Sequence, residues 1–154
     1  MAATKKTTPK DAIAMLKADH KKVSGLFAEF EQARVASTKK RLVGAICTEL
    51  SVHAQIEEEV FYPAVKAALK DKALIPEAVV EQATMKDLIG QIEGVDPDGE
   101  MYDARVKVLA EYVKHHVKEE HAEMFPKAAK TPLDMVALGA QMAARKSELL
   151  AASR

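Results

Sequence analysis

Two short units of the sequence carry the residue types of a metal site: His53 with Glu57, and His116 with Glu120. In both units the histidine precedes the glutamate by four residues, and a proline that follows an aromatic residue comes six residues after the glutamate. Residues four apart share one face of an α-helix, so each pair can bind one metal ion or supply a carboxylate that bridges two. Imidazole with carboxylate suits iron, zinc or manganese. Two such helices facing each other predict a metal site inside a helical bundle.

Further polar residues fall on the inward stripes of the other predicted helices. His20 lies in the first helix, and Gln82 lies where the inward stripe of the third helix crosses the same level. His115 and His121 flank the second unit. Because His115 points about 100° away from its neighbour, we expect it to orient the site or to face solvent. We expect His121 to lie at the surface.

A polar core without metal is the alternative to a metal site. A single histidine on an apolar helix face is more often a hydrogen-bonded core residue than a ligand. Two buried glutamates, however, are costly without a positive charge beside them. The lysines that could supply that charge are Lys66, Lys86 and Lys114. Neither the E-x-x-H repeat of ferritin-like bundles nor the H-E-x-x-H motif of zinc hydrolases occurs in the sequence.

Composition limits the class of protein and its partners. The chain has 154 residues, enough for one domain with a sizeable core. A formal net charge of zero argues against nucleic acid or an anionic membrane as the main partner. No apolar run is long enough for a membrane span. One cysteine and a polar, basic start indicate a reducing compartment and no secretory signal, so the cytoplasm is the expected location.

The residue pattern predicts an all-α protein. Ala, Leu, Lys, Glu and Met are plentiful, whereas strand-like alternation is scarce. Four helices of about twenty to thirty residues with short connections predict an up-down-up-down antiparallel four-helix bundle, followed by an extra C-terminal helix. We assign residues 1–8 to a flexible tail, residues 9–130 to the bundle and residues 131–154 to the C-terminal helix.

Capping residues and prolines predict where the helices begin and bend. Thr8 and Thr131, each followed by a proline, are the expected N-caps of the first and last helices. The second helix is expected to begin at Lys39, and Pro63 should kink it because proline removes a backbone donor. Pro126 should kink the fourth helix in the same way.

The chain resembles a known family, the hemerythrin-like HHE cation-binding domains of bacteria. The resemblance covers roughly residues 10 to 130, in order and spacing. It rests on three segments: Ala18-Asp19-His20-Lys21-Lys22-Val23, then His53 to Glu58 with Phe61-Tyr62-Pro63, and finally His115 to Glu120 with Phe125-Pro126.

The resemblance implies a four-helix bundle that holds two non-haem irons. In the family, histidines bind the irons, and two carboxylates bridge them together with an oxo or hydroxo group. Carried onto this sequence, Glu57 and Glu120 would be the bridges. The implied ligands are His20, His53, Glu57, His116 and Glu120.

One position departs from the family pattern. The family usually supplies a histidine from the third helix, and Gln82 stands at that place. A glutamine carbonyl oxygen binds such a metal more weakly than imidazole does. Gln82 is therefore a weak ligand, or water fills the position, or the second metal position is poorly occupied. Because oxygen-carrying members have more histidines, the departure weakens the case for oxygen carriage more than the case for metal binding.

The expected function is that of a cytoplasmic non-haem iron protein whose small-molecule ligand is oxygen, hydrogen peroxide or nitric oxide. It either binds or senses that ligand without turnover, or acts as a peroxide-consuming (catalase- or peroxidase-like) or iron-oxidising enzyme in stress defence. An open position near Gln82, with Tyr112 as proton donor, would favour turnover. The sequence leaves open the choice between these classes and the oligomeric state.

Overall fold

The computed structural model describes residues 11–153, which form five continuous helical segments and no strand. The predicted all-α class is therefore confirmed. Two of the segments consist of two α-helices joined by a π-helical turn. In chain order the elements are α1 (Ala12–Gln32), α2 (Ala36–Ile56), the first π-helical turn (Glu57–Phe61), α3 (Tyr62–Ala68), α4 (Leu74–Ile92), α5 (Glu100–Glu119), the second π-helical turn (Glu120–Met124), α6 (Phe125–Ala129) and α7 (Met135–Ala152).

Aspartates cap the first and last of these helices. Asp11 and Asp134 each accept a hydrogen bond from the backbone N–H three residues on, at 2.7 and 3.0 Å. The predicted cap at Thr131 is wrong, because a carboxylate at Asp134 faces the positive end of the helix dipole. The hydroxyl of Thr131 instead bonds to a carbonyl at the end of α6. The cap predicted at Thr8 and the predicted tail, residues 1–8, lie outside the described residues.

The second helical segment begins at Ala36, three residues before the predicted start at Lys39. The amide of Lys39 already bonds to the carbonyl of Val35 at 3.0 Å, which places Lys39 in the first turn. Val35 is the N-cap residue and makes no side-chain capping hydrogen bond. The earlier start therefore has no capping side chain that would mark it in the sequence.

A π-helical turn precedes each of the two prolines that were expected to kink a helix. The amide of Tyr62 bonds to the carbonyl of Glu57, five residues earlier. The amide of Phe125 bonds to the carbonyl of Glu120 in the same way. Proline offers no N–H to the carbonyl four residues before it, and its ring would crowd that carbonyl in a regular helix. The wider turn relieves this crowding and inserts one residue into the helical register, as often happens at functional sites.

A layer of polar residues divides the buried core into two apolar clusters. The first cluster belongs to α1, α2, α4 and α5. The second belongs to the other ends of α1, α2 and α4 together with the two π-helical turns, α3, α6 and α7. On α2, His53 lies between Leu50 of the first cluster and Ile56 of the second. Gln82 holds the same intermediate place on α4. The layer is therefore enclosed by apolar packing on both sides.

Contacts between the helices form a closed ring. Helix α1 packs on α2, α2 on α4, α4 on α5, and α5 on α1. Helix α7 packs on α1, on α2 and on the first π-helical turn, so it covers the flank that these elements form. Among residues 11–153, helix length and apolar character never combine to the degree that a membrane span requires.

Candidate metal centre

The polar layer contains every residue that the sequence indicated as a ligand. His20 comes from α1, His53 from α2, and Gln82 from α4. Glu57 and Glu120 are each the first residue of a π-helical turn, and each turn directly follows the helix that carries the histidine of the same unit. The residues brought together are His20, His53, Glu57, Gln82, His116 and Glu120.

One half of the layer is built by α1, α2 and the first π-helical turn. Nε2 of His53 lies 3.0 Å from Oε1 of Glu57, as the four-residue spacing predicts. Nε2 of His20 lies 3.2 Å from the same His53 nitrogen. On the far side of the His53 ring, Nδ1 lies 2.9 Å from Oδ2 of Asp19. Asp19 thereby fixes the ring orientation and leaves Nε2 facing the centre of the layer.

The other half is built by α4, α5 and the second π-helical turn. Nε2 of His116 lies 3.3 Å from Oε1 of Glu120. Nδ1 of His116 lies 3.3 Å from Oε1 of Glu81, which orients this ring as Asp19 orients the other. The same Glu120 oxygen lies 3.3 Å from Nε2 of His20, so Glu120 connects the two halves.

The two halves repeat one arrangement with one substitution. In each half a carboxylate, Asp19 or Glu81, contacts Nδ1 of the motif histidine. The residue after each carboxylate faces the centre, and it is His20 in one half and Gln82 in the other. Gln82 therefore occupies on α4 the place that His20 occupies on α1, where the resemblance predicts a histidine.

Tyr62 is a member of the centre that the sequence pattern does not indicate. Its hydroxyl donates to Oε2 of Glu120 at 3.3 Å and accepts from Nε2 of Gln82 at 3.1 Å. Tyr112, the predicted proton donor, is partly buried against the first apolar cluster and makes no hydrogen bond with the described residues. Tyr112 therefore has the contacts of a core tyrosine, the alternative to a donor role, and Tyr62 supplies a phenol that contacts the centre.

The first π-helical turn explains why regular periodicity misses Tyr62. Tyr62 follows Glu57 by five residues, which in an α-helix places the two side chains about 140° apart. In the π-helical turn the residue five positions on comes back over Glu57. A usable signal does exist, because Phe125 follows Glu120 by the same five residues and also precedes a proline. Phe125 stacks on His20 with ring centroids 6.0 Å apart.

Three oxygen atoms of the centre have no hydrogen-bond partner among the described residues. They are Oε2 of Glu57, Oε1 of Gln82 and Oε1 of Glu120, and each of these residues is at most 1% exposed. The Glu120 oxygen has the ring nitrogens of His20 and His116 at 3.3 Å, in ion-pair contacts that lack hydrogen-bond geometry. An unsatisfied buried polar group costs about 1–3 kcal/mol. None of the candidate lysines offsets this cost: Lys86 pairs with Glu58 instead, and Lys66 and Lys114 form no ion pair with the described residues. A bound cation would satisfy these oxygens, so the donor set fits a metal.

The ligand atoms fall into two groups, each compact enough for one ion. His20, His53 and Glu120 form one group, and Glu57, His116 and Glu120 form the other. Within each group the ligand atoms lie within 4.8 Å of one another. Glu120 belongs to both groups, which is the arrangement that a bridging carboxylate requires. Glu57 belongs to one group, so its predicted bridging role stays a prediction.

Protons balance the charge of the two buried carboxylates. Burial and the neighbouring Glu120 raise the pKa of Glu57 to about 8. Burial opposes the ionisation of Glu120 as well, but its contacts with Glu57 and His116 hold its pKa well below the usual range. Burial disfavours the charged form of His116, yet the contact with Glu120 outweighs it and raises the pKa of His116 to about 9. At neutral pH the centre therefore holds protons that a cation would displace.

Helix α7 reaches the centre through one side chain. Nζ of Lys146 donates to Oδ1 of Asp19 at 2.6 Å, while the other Asp19 oxygen contacts His53. The sequence gives no spacing signal for this contact because the two residues are 127 positions apart. On the solvent side, Nε2 of His121 lies 2.9 Å from Nδ1 of His20. His121 is exposed as predicted, and it orients the His20 ring.

A family model and a solved structure that match this chain both carry the same family description. The family model described as the hemerythrin HHE cation binding domain matches residues 11–128. A crystal structure of a hemerythrin HHE cation binding domain-containing protein, the Rv2633c homolog from Mycobacterium kansasii, has a TM-score of 0.78 and 27% sequence identity. That match covers 91% of this chain and 87% of the other.

Two curated relatives differ in length. Rv2633c of Mycobacterium tuberculosis is 28% identical over 145 residues, which cover 90% of this chain and 87% of that protein. A protein of Nostoc sp. named DNA nickase is 34% identical over 111 residues, which cover 72% of this chain. The matched region is only 31% of the DNA nickase, so this chain corresponds to about a third of that relative.

Proposed function

Because this chain belongs to the hemerythrin HHE cation-binding domain family, we propose that it is a non-haem iron protein that holds two irons and binds or reacts with oxygen, peroxide or nitric oxide. The observation that carries the proposal is the position of Glu120. It is shared by two compact ligand groups, and its Oε1 atom lies 3.3 Å from a ring nitrogen of one histidine in each group, His20 and His116. Two adjacent cations would use that oxygen.

The chain's own residues divide the work of holding the metals. His20 and His53 with Glu120 would hold one iron, and Glu57 and His116 with Glu120 the other. Two irons that share carboxylate ligands supply two-electron redox chemistry. The carbonyl oxygen of Gln82 is buried without a hydrogen-bond partner among the described residues, so it is available as a further, weak metal ligand. An oxo or hydroxo bridge between the irons is part of the proposal.

Residues around the ligands keep protons in defined places. Asp19 and Glu81 hold Nδ1 of the two motif histidines, so that Nε2 remains the metal-facing atom. Burial and the two glutamates raise the pKa of Tyr62 well above its usual range. Its hydroxyl therefore keeps its proton at neutral pH and directs it towards Oε2 of Glu120. Phe125 covers the His20 side of the centre and restricts water there.

Turnover of peroxide is the second candidate function. It is favoured by the difference between the two halves, since the half with Gln82 has one imidazole fewer than the half with His20. A weaker ligand at that place leaves room for an exogenous ligand, and the Tyr62 hydroxyl lies beside it as a hydrogen-bond donor. Peroxide consumption or iron oxidation would take place at this half of the centre and use the Tyr62 hydroxyl. Reversible binding of a small molecule needs no such proton donor.

We also propose the finer points of architecture and context. The ring of contacts from α1 through α2, α4 and α5 supports an up-down-up-down four-helix bundle over residues 9–130, with residues 131–154 as an added helix. A net charge of zero supports a small-molecule ligand rather than nucleic acid as the partner. The name DNA nickase belongs to a protein of which this chain matches about a third. The cytoplasm is the proposed location.

The test compares metal content in variants of the two glutamates. Purified protein, reconstituted with Fe²⁺ without oxygen, should hold close to two irons per chain. Glu120→Gln should lose both irons because it removes an oxygen from both groups, whereas Glu57→Gln should keep one. Glu58→Gln, which changes the adjacent partly exposed residue, is the control and should keep both. Two irons retained in Glu120→Gln would place the metals elsewhere, and zinc in place of iron would contradict the assigned metal.

A further inference from the structure

The sequence contains a third H-x-x-x-E unit, which overlaps the second. His115 precedes Glu119 by four residues, one position before His116 and Glu120. Because neighbouring residues on an α-helix point about 100° apart, the two overlapping units face different directions. Nε2 of His115 lies 3.1 Å from Oε1 of Glu119, and both side chains are exposed to solvent. Helix α5 thus carries one unit towards the buried centre and one towards the surface.

Glu81 completes a chelating group at this surface. One ligand atom from each of Glu81, His115 and Glu119 lies within 4.8 Å of the others. Two carboxylates and an imidazole make a donor set that suits a divalent transition-metal ion. Glu81 is at the same time the residue that contacts Nδ1 of His116, at 3.3 Å. The surface group and the buried centre are therefore connected through a single carboxylate.

A small cavity lies between the surface group and the centre. It has a volume of about 20 Å³, enough for roughly one water molecule or a small ion. Glu81 and Glu119 line it on the outer side, and His116 and Glu120 line it on the inner side. Glu120 is 1% exposed, and its Oε1 atom lies 3.3 Å from the ring nitrogens of His20 and His116. The buried carboxylate shared by both ligand groups therefore lies at the inner end of the cavity.

The surroundings add to the negative charge at the outer end. Glu77 lines the cavity and also the two shallow grooves that adjoin it. Lys127 lies in one of these grooves, but its charge is balanced by Asp71 and Glu123. Lys118, the remaining cation of that groove, forms no ion pair with the described residues. A cleft lined mainly by one sign of charge raises the local concentration of the opposite ion.

We propose that Glu81, His115 and Glu119 form a surface site for a divalent metal ion, which passes through the cavity to the buried centre. Binding at the surface site stands on its own geometry. Transfer to the centre rests on the proposed function. Glu81, which belongs to the surface group and also contacts His116, connects the two sites.

Iron uptake tests the transfer. The double variant His115→Ala with Glu119→Gln leaves every buried ligand in place. The metal-free double variant, mixed with Fe²⁺ under anaerobic conditions, should load its buried centre at least about ten times more slowly than the parent does, the scale of electrostatic focusing. The iron content of the centre should reach the same final value. Glu111→Gln, which removes an exposed acid from the same helix, should load at the parental rate. An unchanged rate in the double variant would overturn the proposal, and so would a lower final content, because it would make the pair part of the buried centre.

Mn²⁺ binding followed by electron paramagnetic resonance tests the surface site separately. In Glu120→Gln protein one Mn²⁺ should still bind, and it should be lost when His115→Ala and Glu119→Gln are added. If the parent fails to load its centre while this Mn²⁺ site persists, the proposed function fails and the surface site stands. If Mn²⁺ binding is the same with and without the added changes, the surface site is disproved.

Discussion

Tyr62 and Phe125 occupy equivalent positions in the two repeated units, and their difference is one hydroxyl group. Phe125 packs against His20, while Tyr62 uses its hydroxyl to contact Glu120 and Gln82. The phenol of Tyr62 thus contacts the half of the centre that has one histidine fewer. The side chains of Gln82 and Tyr62 are hydrogen-bonded to each other, so the effects of substituting the two residues should be coupled rather than additive.

Tyr62→Phe should destabilise the protein by about 0.5–1.5 kcal/mol, since it removes hydrogen bonds at a buried carboxylate and amide. The ring itself fits, as Phe125 demonstrates at the equivalent position. Tyr102→Phe is the matched control because the Tyr102 hydroxyl is buried with no hydrogen-bond partner among the described residues. That control should be neutral or stabilising. Urea unfolding of both variants measures the difference, and equal destabilisation of both would remove the assigned role of the Tyr62 hydroxyl.

At the scale of elements, regular helical periodicity predicts most of the centre. The four-residue spacing of His53 and Glu57 is enough to place both on one face, and the same holds for His116 and Glu120. Helical periodicity does not predict the position of Tyr62, because the π-helical turn changes the register by one residue. It does not predict the contact between Lys146 and Asp19 either, since that contact depends on how helices distant in the sequence pack and not on a local spacing.

Helix α7 should influence the metal site through Lys146. Lys146→Met keeps the aliphatic stem but removes the ammonium that holds Asp19 against His53. Loss of a residue that hydrogen-bonds a ligand directly lowers metal affinity by about 10–100-fold. Lys146 acts through such a residue, Asp19, so we expect a loss of up to about 10-fold. Arg145→Met is the control, because Arg145 pairs with Glu59 and Glu148 and contacts no residue of the centre. Competition with a chelator measures affinity, and equal losses in the two variants would point to loosened helix packing instead.

At the scale of the whole molecule, the charged layer couples metal binding to stability and pH. The pKa of His116 is raised to about 9 and that of Glu57 to about 8, so both groups are protonated more readily in the folded chain than in the unfolded chain. A raised folded pKa gives stability that is present at low pH and is lost as pH rises through the folded value. The pKa of Glu120 is lowered, so its contribution changes only below its ordinary range, outside this window.

Metal-free protein should therefore lose thermal stability between about pH 4.5, the ordinary pKa of the Glu57 carboxyl, and pH 9, the raised pKa of His116. Iron-loaded protein should not show this loss, because the metal replaces the protons of the ligands. Proton release on metal binding should accompany the difference. Melting temperatures of both forms at several pH values test the prediction, and a titration in weak buffer measures the protons. Parallel pH profiles for the two forms would contradict it.

The shared position of Glu120 also has a consequence for biosynthesis. Both ligand groups include this residue, and each also takes ligands from the earlier part of the chain. A nascent chain that emerges from the ribosome therefore holds no complete group until translation has passed Glu120 and the second half has docked on the first. Metal capture then follows folding, and a chain released early would have no complete ligand group to retain a metal ion.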